Sequence, residues 1–204
     1  MKKIFVLFFF VFVNCILNAQ NADDILNKAA ASFKKIKCLK SSYTLKVNES
    51  GHLSEHKGCI IIQGNKYVNY FNGTTIWFNG KTMWTLSEEN EEVTITQPSS
   101  SELINSNPYH FLDSYSKEFN ATLINANGNY YVIRLIPKKN NTDIKKILIN
   151  ISKSDYKPTK ITLDAKKSSV IIVIKTYQEI RPYNSKSFSF NKNKYPNVEI
   201  IDLR

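Results

Sequence analysis

The chain has 204 residues, 42% of them hydrophobic, and a formal net charge of +11. This length predicts a single sizeable core, and no composition break or low-complexity linker marks a second domain. The basic charge does not predict a nucleic-acid partner, because the lysines are scattered and no sheet motif combines basic with aromatic residues. The simpler interpretation of the charge is a basic surface that contacts anionic membranes or acidic partners.

The first residues predict a secretory signal peptide. Lys2 and Lys3 precede the apolar run IFVLFFFVFV, and the small residue Ala19 stands at a suitable cleavage point. The run is short for a segment that spans a bilayer. We therefore expect residues 1–19 to be removed on export and residues 20–204 to form one domain.

The cysteines are expected to be neither lipidated nor paired. Cys15 follows the apolar run, but Asn14 occupies the place where a lipidation signal has a small residue. Cys38 and Cys59 stay in the exported chain, where a disulfide is chemically permitted. If NESGHLS turns a hairpin, Cys59 faces residues 44–46 rather than Cys38, which favours free thiols.

The stretch NADDILNKAAASFKKIKCLK, residues 21–40, predicts one amphipathic helix. Asp23 and Asp24 favour its first turn and lysines crowd its end, as the helix dipole prefers. Apolar residues recur at helical spacing; they are Ile25, Leu26, Ala29, Ala30, Phe33 and Ile36.

From Ser41 the pattern changes to an antiparallel meander of short strands. The runs SYTLKV, GCIIIQG, KYVNYF, TTIWF, TMWTL and EVTITQ follow one another, and the pairs Asn72-Gly73 and Asn79-Gly80 are typical of two-residue hairpin turns. A two-residue turn at Asn79-Gly80 places Ile76 opposite Met83. One face then carries Ile76, Phe78, Met83 and Thr85, and the other carries Trp77, Trp84 and Leu86. Because both faces are apolar, the sheet is expected to be covered on both sides or to wrap around something.

A helical interruption divides the strands into two groups. Pro98 and a serine cluster open one short helix, and Pro108 opens a second. Strands resume with EFNATLIN, YYVIRLIP, KKILINIS, KPTKITLD, SVIIVIKTY and a last run near SFSF. The sequence thus predicts a mainly β fold of about eleven strands.

No motif predicts an enzyme, a cofactor or a metal site. His52 and His56 lie in a predicted hairpin turn, which does not place both on one helical face, and no cysteine or acid cluster completes a metal set. The run SEENEE, residues 87–92, falls where a solvated hairpin tip is expected. No phosphate loop or nucleophile elbow occurs.

These features together resemble the LolA-type outer-membrane lipoprotein carrier family. NGKTMWTL is similar to that family's aromatic-rich hairpin, SNPYHFL to its helix after the sixth strand, and YKPTKITL to a late strand. The resemblance covers nearly the whole mature chain. It implies an unclosed antiparallel β-barrel whose N-terminal helix and short helices form a lid over a hollow.

The resemblance also implies a function. A periplasmic carrier of this type, expected to be monomeric, would hold the acyl chains of lipoproteins, receive them from an inner-membrane lipoprotein-releasing transporter and deliver them to an outer-membrane acceptor, with transient membrane contact. The resemblance implies lipid-binding residues in three places, and the hairpin register adds Met83 to them. They are Val68, Tyr70, Ile76 and Phe78 on the inward side of the wall, Tyr109 and Leu112 in the lid, and Leu26 in the first helix. Such a hollow would explain the apolar hairpin, because each methylene exposed to water costs about 0.8 kcal/mol.

The sequence departs from the family pattern at one position, and three alternatives to the lipoprotein carrier stay open. Many family members have an arginine after the second strand that ties barrel to lid, whereas this chain has Gly64 there, and nearby Lys66 lacks a guanidinium's planar fork. The alternatives are a carrier of another amphiphile, such as a glycolipid or pigment intermediate, a secreted enzyme with polar groups in its cavity, and a solid-cored structural domain.

Overall fold

The computed structural model describes residues 21–140 and 142–204, so the predicted signal peptide and Cys15 lie outside the described residues. The helices are α1 (Ala22–Lys34), α2 (Ser100–Ser106) and α3 (Phe111–Glu118), with two short 3-10 helices at Ser185–Phe188 and Lys192–Lys194. The strands are β1 (Leu39–Glu49), β2 (His52–Gln63), β3 (Lys66–Phe71), β4 (Thr74–Phe78), β5 (Met83–Ser87), β6 (Glu92–Thr96), β7 (Phe119–Asn125), β8 (Tyr130–Pro137), β9 (Ile144–Ser152), β10 (Pro158–Ala165), β11 (Ser168–Glu179) and β12 (Glu199–Asp202).

All twelve strands form one unclosed sheet in the order β12-β6-β5-β4-β3-β2-β1-β11-β10-β9-β8-β7. Two antiparallel meanders, β1 to β6 and β7 to β11, are joined by the pairing of β1 with β11. The prediction of an unclosed, mainly β fold is confirmed. The predicted last strand near SFSF is absent, because Ser185–Phe188 form a 3-10 helix, and the twelfth strand is β12, which pairs in parallel with β6.

The helices lie where the sequence signals place them. Asn21 caps α1 through a hydrogen bond that its side chain accepts from the Asp23 amide. α2 begins with a capping box in which Ser99 and Glu102 satisfy each other's backbone amides. α2 and α3 connect β6 to β7, which are far apart in the sheet order, so this connection runs across the inner face of the sheet.

Both faces of the sheet are covered at β2 to β6, as the apolar hairpin predicts. The inner face, towards the three helices, forms the larger core and includes Leu26, Ile60, Ile76, Phe78, Leu112 and Ile149. The outer face of β2 to β6 forms a second core under residues 180–204, which we call the C-terminal strap. This outer core contains Cys38, Ile61, Val68, Trp77, Leu86, Val93 and Phe188.

The register predicted for the aromatic hairpin is wrong by two residues. Phe78 pairs with Met83 and Ile76 with Thr85, so four residues rather than two form the turn. The Asn79 side chain accepts hydrogen bonds from the amides of Lys81 and Thr82, at 3.0 and 2.9 Å, and closes this longer turn. Because side chains alternate with period two, a two-residue shift leaves every residue on its predicted face.

Two smaller expectations are also corrected. His52 and His56 belong to β2 instead of a turn, because the turn is confined to Ser50 and Gly51, both with positive φ. Cys59 pairs with Ser42, not with residues 44–46, and both Cys38 and Cys59 are free. Among the described helices, none combines the length and apolar character needed to cross a membrane.

Candidate functional site

A cavity of about 520 Å³ lies between the inner face of the sheet and the lid helices. Its volume falls in the range of roughly 300–1,000 Å³ that small-molecule sites occupy. Strands β1, β3, β9, β10 and β11 form its wall, and α2, α3 and the residues between them cover one end. Its apolar lining consists of Leu45, Val47, Phe71, Ile104, Pro108, Phe111, Ile144, Ile147, Ile161, Leu163, Ala165, Val170 and Ile172.

Strand alternation explains why this wall is apolar. β11 turns Val170 and Ile172 towards the cavity, and Ile171 between them faces outward. The same alternation in β10 directs Ile161 and Leu163 inward. The wall residues of β11 are half-buried, because the lid covers only part of the inner face.

A buried polar junction ties the sheet to α2 at the covered end. The Tyr43 hydroxyl donates to Asn69 Oδ1 at 2.7 Å, and Asn69 Nδ2 donates to the Ser106 carbonyl at 2.8 Å. Tyr67 Oη lies 2.5 Å from Ser106 Oγ. Ser106 uses its own proton on the Glu102 carbonyl, so Tyr67 is the donor. The lid is therefore held by neutral hydrogen bonds.

A second junction joins the sheet to the segment before α3. Tyr109 Oη lies 2.7 Å from Ser41 Oγ, which donates its proton to the Thr176 carbonyl, so Tyr109 donates to Ser41. The rings of Phe33 and Tyr177 pack near Tyr109, with centroids 5.0 and 5.9 Å away. This junction brings α1, β1 and β11 together beneath the lid.

The tyrosines of these junctions are buried acids that stay neutral. Burial raises the pKa of Tyr67 to about 12, although its hydrogen bond to Ser106 acts in the opposite direction. Burial likewise raises the pKa of Tyr109 to about 12, against the hydrogen bond to Ser41. Burial also raises the pKa of Tyr43. Because the protonated forms are the donors, the junctions persist throughout the ordinary pH range.

We expect the stability of the protein to fall at alkaline pH through these groups. Their folded pKa lies above the unfolded value of about 10, so their contribution is complete below pH 10 and is lost as pH rises through about 12. Each should contribute roughly 2–3 kcal/mol to that loss. Urea unfolding between about pH 9 and pH 12 measures it. In the Tyr67→Phe variant the free energy of unfolding should fall less steeply with pH than in the wild type. The control Tyr130→Phe, at an exposed site, should keep the wild-type dependence on pH. The same dependence in all three proteins would contradict the assignment.

The residues predicted to bind lipid divide into two groups. Six lie in the inner core beneath the lid: Leu26, Ile76, Phe78, Met83, Tyr109 and Leu112. They are at most 7% exposed and none of them lines the cavity. Their lipid-binding role stays a prediction. A glutamate at Ile76 or Phe78, which the sequence alone would place in a lipid hollow, would be buried in packed side chains and should destabilise the fold.

The expectation that Val68 and Tyr70 face inward is wrong. Val68 pairs with Trp77 and packs in the outer core, and Tyr70 is 44% exposed. The strand instead turns Tyr67, Asn69 and Phe71 inward. β3 is apolar on both faces, so its alternation alone does not show which set is inward. Asn69, the polar residue in its middle, faces inward because Tyr43 and Ser106 satisfy its amide.

Gly64 has a local structural role. It has a φ of +60° in the turn between β2 and β3, a conformation that glycine adopts at little cost. The position is therefore suited to a turn. The contacts between sheet and lid are made instead by Tyr43, Tyr67, Asn69 and Ser106.

Gly58 leaves room for the Tyr43 ring of this junction. It lies directly beneath that ring, where a Cβ would approach Cζ to 2.3 Å.

The rim of the cavity far from the lid is charged. Lys166 and Lys167, in the turn between β10 and β11, line it together with Asp143. Lys166 Nζ lies 3.6 Å from Asp143 Oδ1 in solvent. No group of three or more metal-ligating side chains occurs within residues 21–140 and 142–204. The arrangement is suited to holding an apolar ligand with one end in solvent.

The fold and this site define a class of protein: an unclosed β-barrel with a partly lidded apolar cavity. The chain belongs to the outer membrane lipoprotein carrier protein LolA family, whose sequence profile matches residues 14–167. The recognition of this family from the sequence is confirmed. No curated protein matches the chain in sequence.

Two solved structures share the fold at low sequence identity, and a third is similar to a lesser degree. An uncharacterized conserved protein from Thermus thermophilus is 10% identical, with a TM-score of 0.59 over 90% of this chain and 99% of that one. A DUF1329 family protein from Desulfovibrio piger is 13% identical, with a TM-score of 0.51 over 82% and 97%. A LolA superfamily protein from Nitrosomonas europaea is 13% identical, with a TM-score of 0.48 over 84% and 99%.

Proposed function

We propose that the protein is a periplasmic carrier that holds the acyl chains of lipoproteins in its cavity between the inner and outer membranes. The observation that carries this proposal is the apolar wall of β1 and β9 to β11 beneath a lid, in a chain of the lipoprotein carrier family. Acyl chains need such a shelter, because about 0.8 kcal/mol per methylene opposes their passage through water. An inner-membrane transporter as donor and an outer-membrane acceptor belong to the same proposal.

The size of the cavity bears on how cargo enters. A volume of about 520 Å³ suits one small ligand and leaves little room for an anchor of several acyl chains. A larger anchor requires α2 and α3 to move away from the wall. The junctions at Ser106 and Tyr109 are neutral hydrogen bonds, each of which stabilises the closed lid by about 1 kcal/mol net. Apolar contact with a bound ligand can offset their loss when the lid opens.

We propose a binding role rather than a catalytic one. The inward side chains of β9 and β10 give the cavity a mainly apolar wall, its charged residues lie at the exposed rim, and the buried hydroxyl groups at its covered end are engaged in the junctions. The alternative function is carriage of another amphiphile, such as a glycolipid or pigment intermediate, by the same cavity.

Native mass spectrometry with lipid extraction, on protein purified from its own periplasm, tests the cargo. Bound acylated peptide would support the lipoprotein carrier, and a glycolipid or pigment intermediate would support the alternative. A protein that is empty and also takes up no fluorescent acyl probe would contradict both.

A matched pair of variants tests the site itself. Ile172→Glu places a carboxylate in the cavity wall, and we expect the affinity for an acyl probe to fall at least about tenfold because the chain would desolvate that charge. Ile171→Glu is the control, since this neighbour is similarly half-buried but faces outward. Probe titration with a circular dichroism check of folding measures the effect. Equal loss in both variants would count against the cavity as the site.

A further inference from the structure

The two ends of the cavity differ in charge. The lid end is bordered by the neutral polar residues Ser101 and Asn105. The opposite end, at the turn between β10 and β11, carries Lys166 and Lys167, both exposed. Between these ends the wall of β11 is apolar at Val170 and Ile172. A ligand that fills the cavity therefore meets hydrocarbon along its length and positive charge at one end.

The positive charge at this end is not balanced by the protein. Asp143 faces Lys166 at 3.6 Å, but its side chain is 91% exposed, so water screens the pair. Nearby Lys146 is engaged by Asp164 at 3.1 Å. Lys167 makes no ion pair with any part of the chain that the structure describes. Lys145 and Lys167 also border a shallow depression at the same turn, where the acidic residue Asp164 is the one that pairs with Lys146, so the local field stays positive.

The wall leads directly to these lysines. Ile172 lies five positions after Lys167, and at about 3.3 Å per residue this is a path of roughly 17 Å. The inward residues on this path alternate with outward ones, so a narrow apolar track at Ile172 and Val170 leads past the small polar residue Ser168 to the two lysines. A linear chain with a charged end matches this shape.

We propose that the cavity selects amphiphiles with an anionic headgroup, a carboxylate or a phosphate, which Lys166 and Lys167 hold at the rim while the acyl chain lies on the wall. This inference rests on the proposed binding of acyl chains, whichever molecule bears them, and adds the charge of the headgroup to it. Lys166 exchanges its solvated contact with Asp143 for the headgroup, and Lys167 supplies the second charge.

Displacement of the neutral fluorescent probe N-phenylnaphthylamine tests the proposal at about pH 8 and low salt. The competitors share one chain length and differ in the head: myristate, tetradecanol and tetradecyltrimethylammonium. We expect myristate to bind about fivefold to tenfold more tightly than tetradecanol, and the cation more weakly than either. Added salt should reduce the preference for myristate. Inorganic phosphate, which has the charge without the chain, should not displace the probe.

Two double variants locate the effect. Lys166→Gln with Lys167→Gln should remove the preference for myristate and leave the affinity for tetradecanol unchanged. Lys192→Gln with Lys194→Gln removes the same net charge from the exposed 3-10 helix of the C-terminal strap and should keep the preference. Equal losses in the two variants would overturn the proposal in favour of a general charge effect.

The remaining outcomes separate this proposal from the one it rests on. If myristate and tetradecanol displace the probe equally, the headgroup proposal fails and the acyl-binding cavity stands. If neither displaces it, the acyl-binding function itself fails. Displacement by inorganic phosphate alone would show an anion site without a chain and would also overturn the headgroup proposal.

Discussion

Replacing Phe188 by alanine should lower the free energy of unfolding by about 3–5 kcal/mol. Phe188 is fully buried in the outer core, although the 3-10 helix that carries it has only four residues. Its removal leaves a void beside the strands that Trp77 and Val68 belong to, and a short 3-10 helix has few hydrogen bonds of its own to resist the loss. We expect the C-terminal strap to detach before the rest of the sheet unfolds.

Urea unfolding and limited proteolysis measure this loss, and the tryptophans report it directly. Both tryptophans lie on strands under the strap, and the Trp77 ring contacts Phe190 and Tyr195, with centroids 5.7 and 6.0 Å away. Cleavage within residues 180–204 should accelerate in Phe188→Ala. The control Tyr183→Ala removes a ring in the same segment that is 43% exposed, and it should lower the free energy of unfolding by about 1 kcal/mol or less. Similar costs for the two variants would show that Phe188 does not anchor the strap.

Replacing Asn69 by leucine should lower the free energy of unfolding by about 2–4 kcal/mol and the melting temperature by roughly 5–15 °C. Asn69 is 2% exposed and partners both the Tyr43 hydroxyl and the Ser106 carbonyl. Leucine has a similar volume but leaves both groups buried without a partner. The lid should loosen more than the sheet, because α2 loses its hydrogen bond from Asn69, whereas the backbone pairing of β1 to β4 does not depend on this side chain.

Hydrogen exchange resolves where the Asn69→Leu effect falls. Amides of α2 and α3 should exchange faster, and those of β8 to β10 should keep wild-type protection. Asn120→Leu makes the same chemical change at an exposed position of β7 and should alter stability by no more than about 0.5 kcal/mol. Uniformly faster exchange in Asn69→Leu would indicate global destabilisation and would argue against a junction specific to the lid.

The strands and the faces of the aromatic hairpin could be predicted from the sequence, because apolar alternation and Asn-Gly turns are local signals. Asn72-Gly73 forms the two-residue turn expected of it, with both φ angles positive. At Asn79-Gly80 the Asn79 side chain caps a longer turn, which its dipeptide does not distinguish from a tight one. The sequence did not predict β12, because this strand has only four residues and it pairs with β6, which is distant in the sequence.

The cavity could not be located from the sequence. Its wall comes mainly from β9 to β11, whose runs KKILINIS and SVIIVIKTY are apolar on one or both faces without any mark that distinguishes cavity from core. Which inward residues are packed and which border a hollow depends on where α2 and α3 end, and that is a tertiary property. Leu112 and Met83 are thus core residues, and Ile172 and Leu163 line the cavity.

The pairing of β1 with β11 determines when the molecule can fold. Residues 39–49 meet residues 168–179 at the seam between the two meanders, so the sheet is incomplete until almost the whole chain is available. Closing so long a loop makes folding slow, with rates expected on the scale of milliseconds to seconds. A nascent chain that lacks β11 would expose the edge of β1 as an unpaired strand, which binds other strands readily. A chain with this seam gains from being kept unfolded until synthesis is finished, as translocation before folding would do.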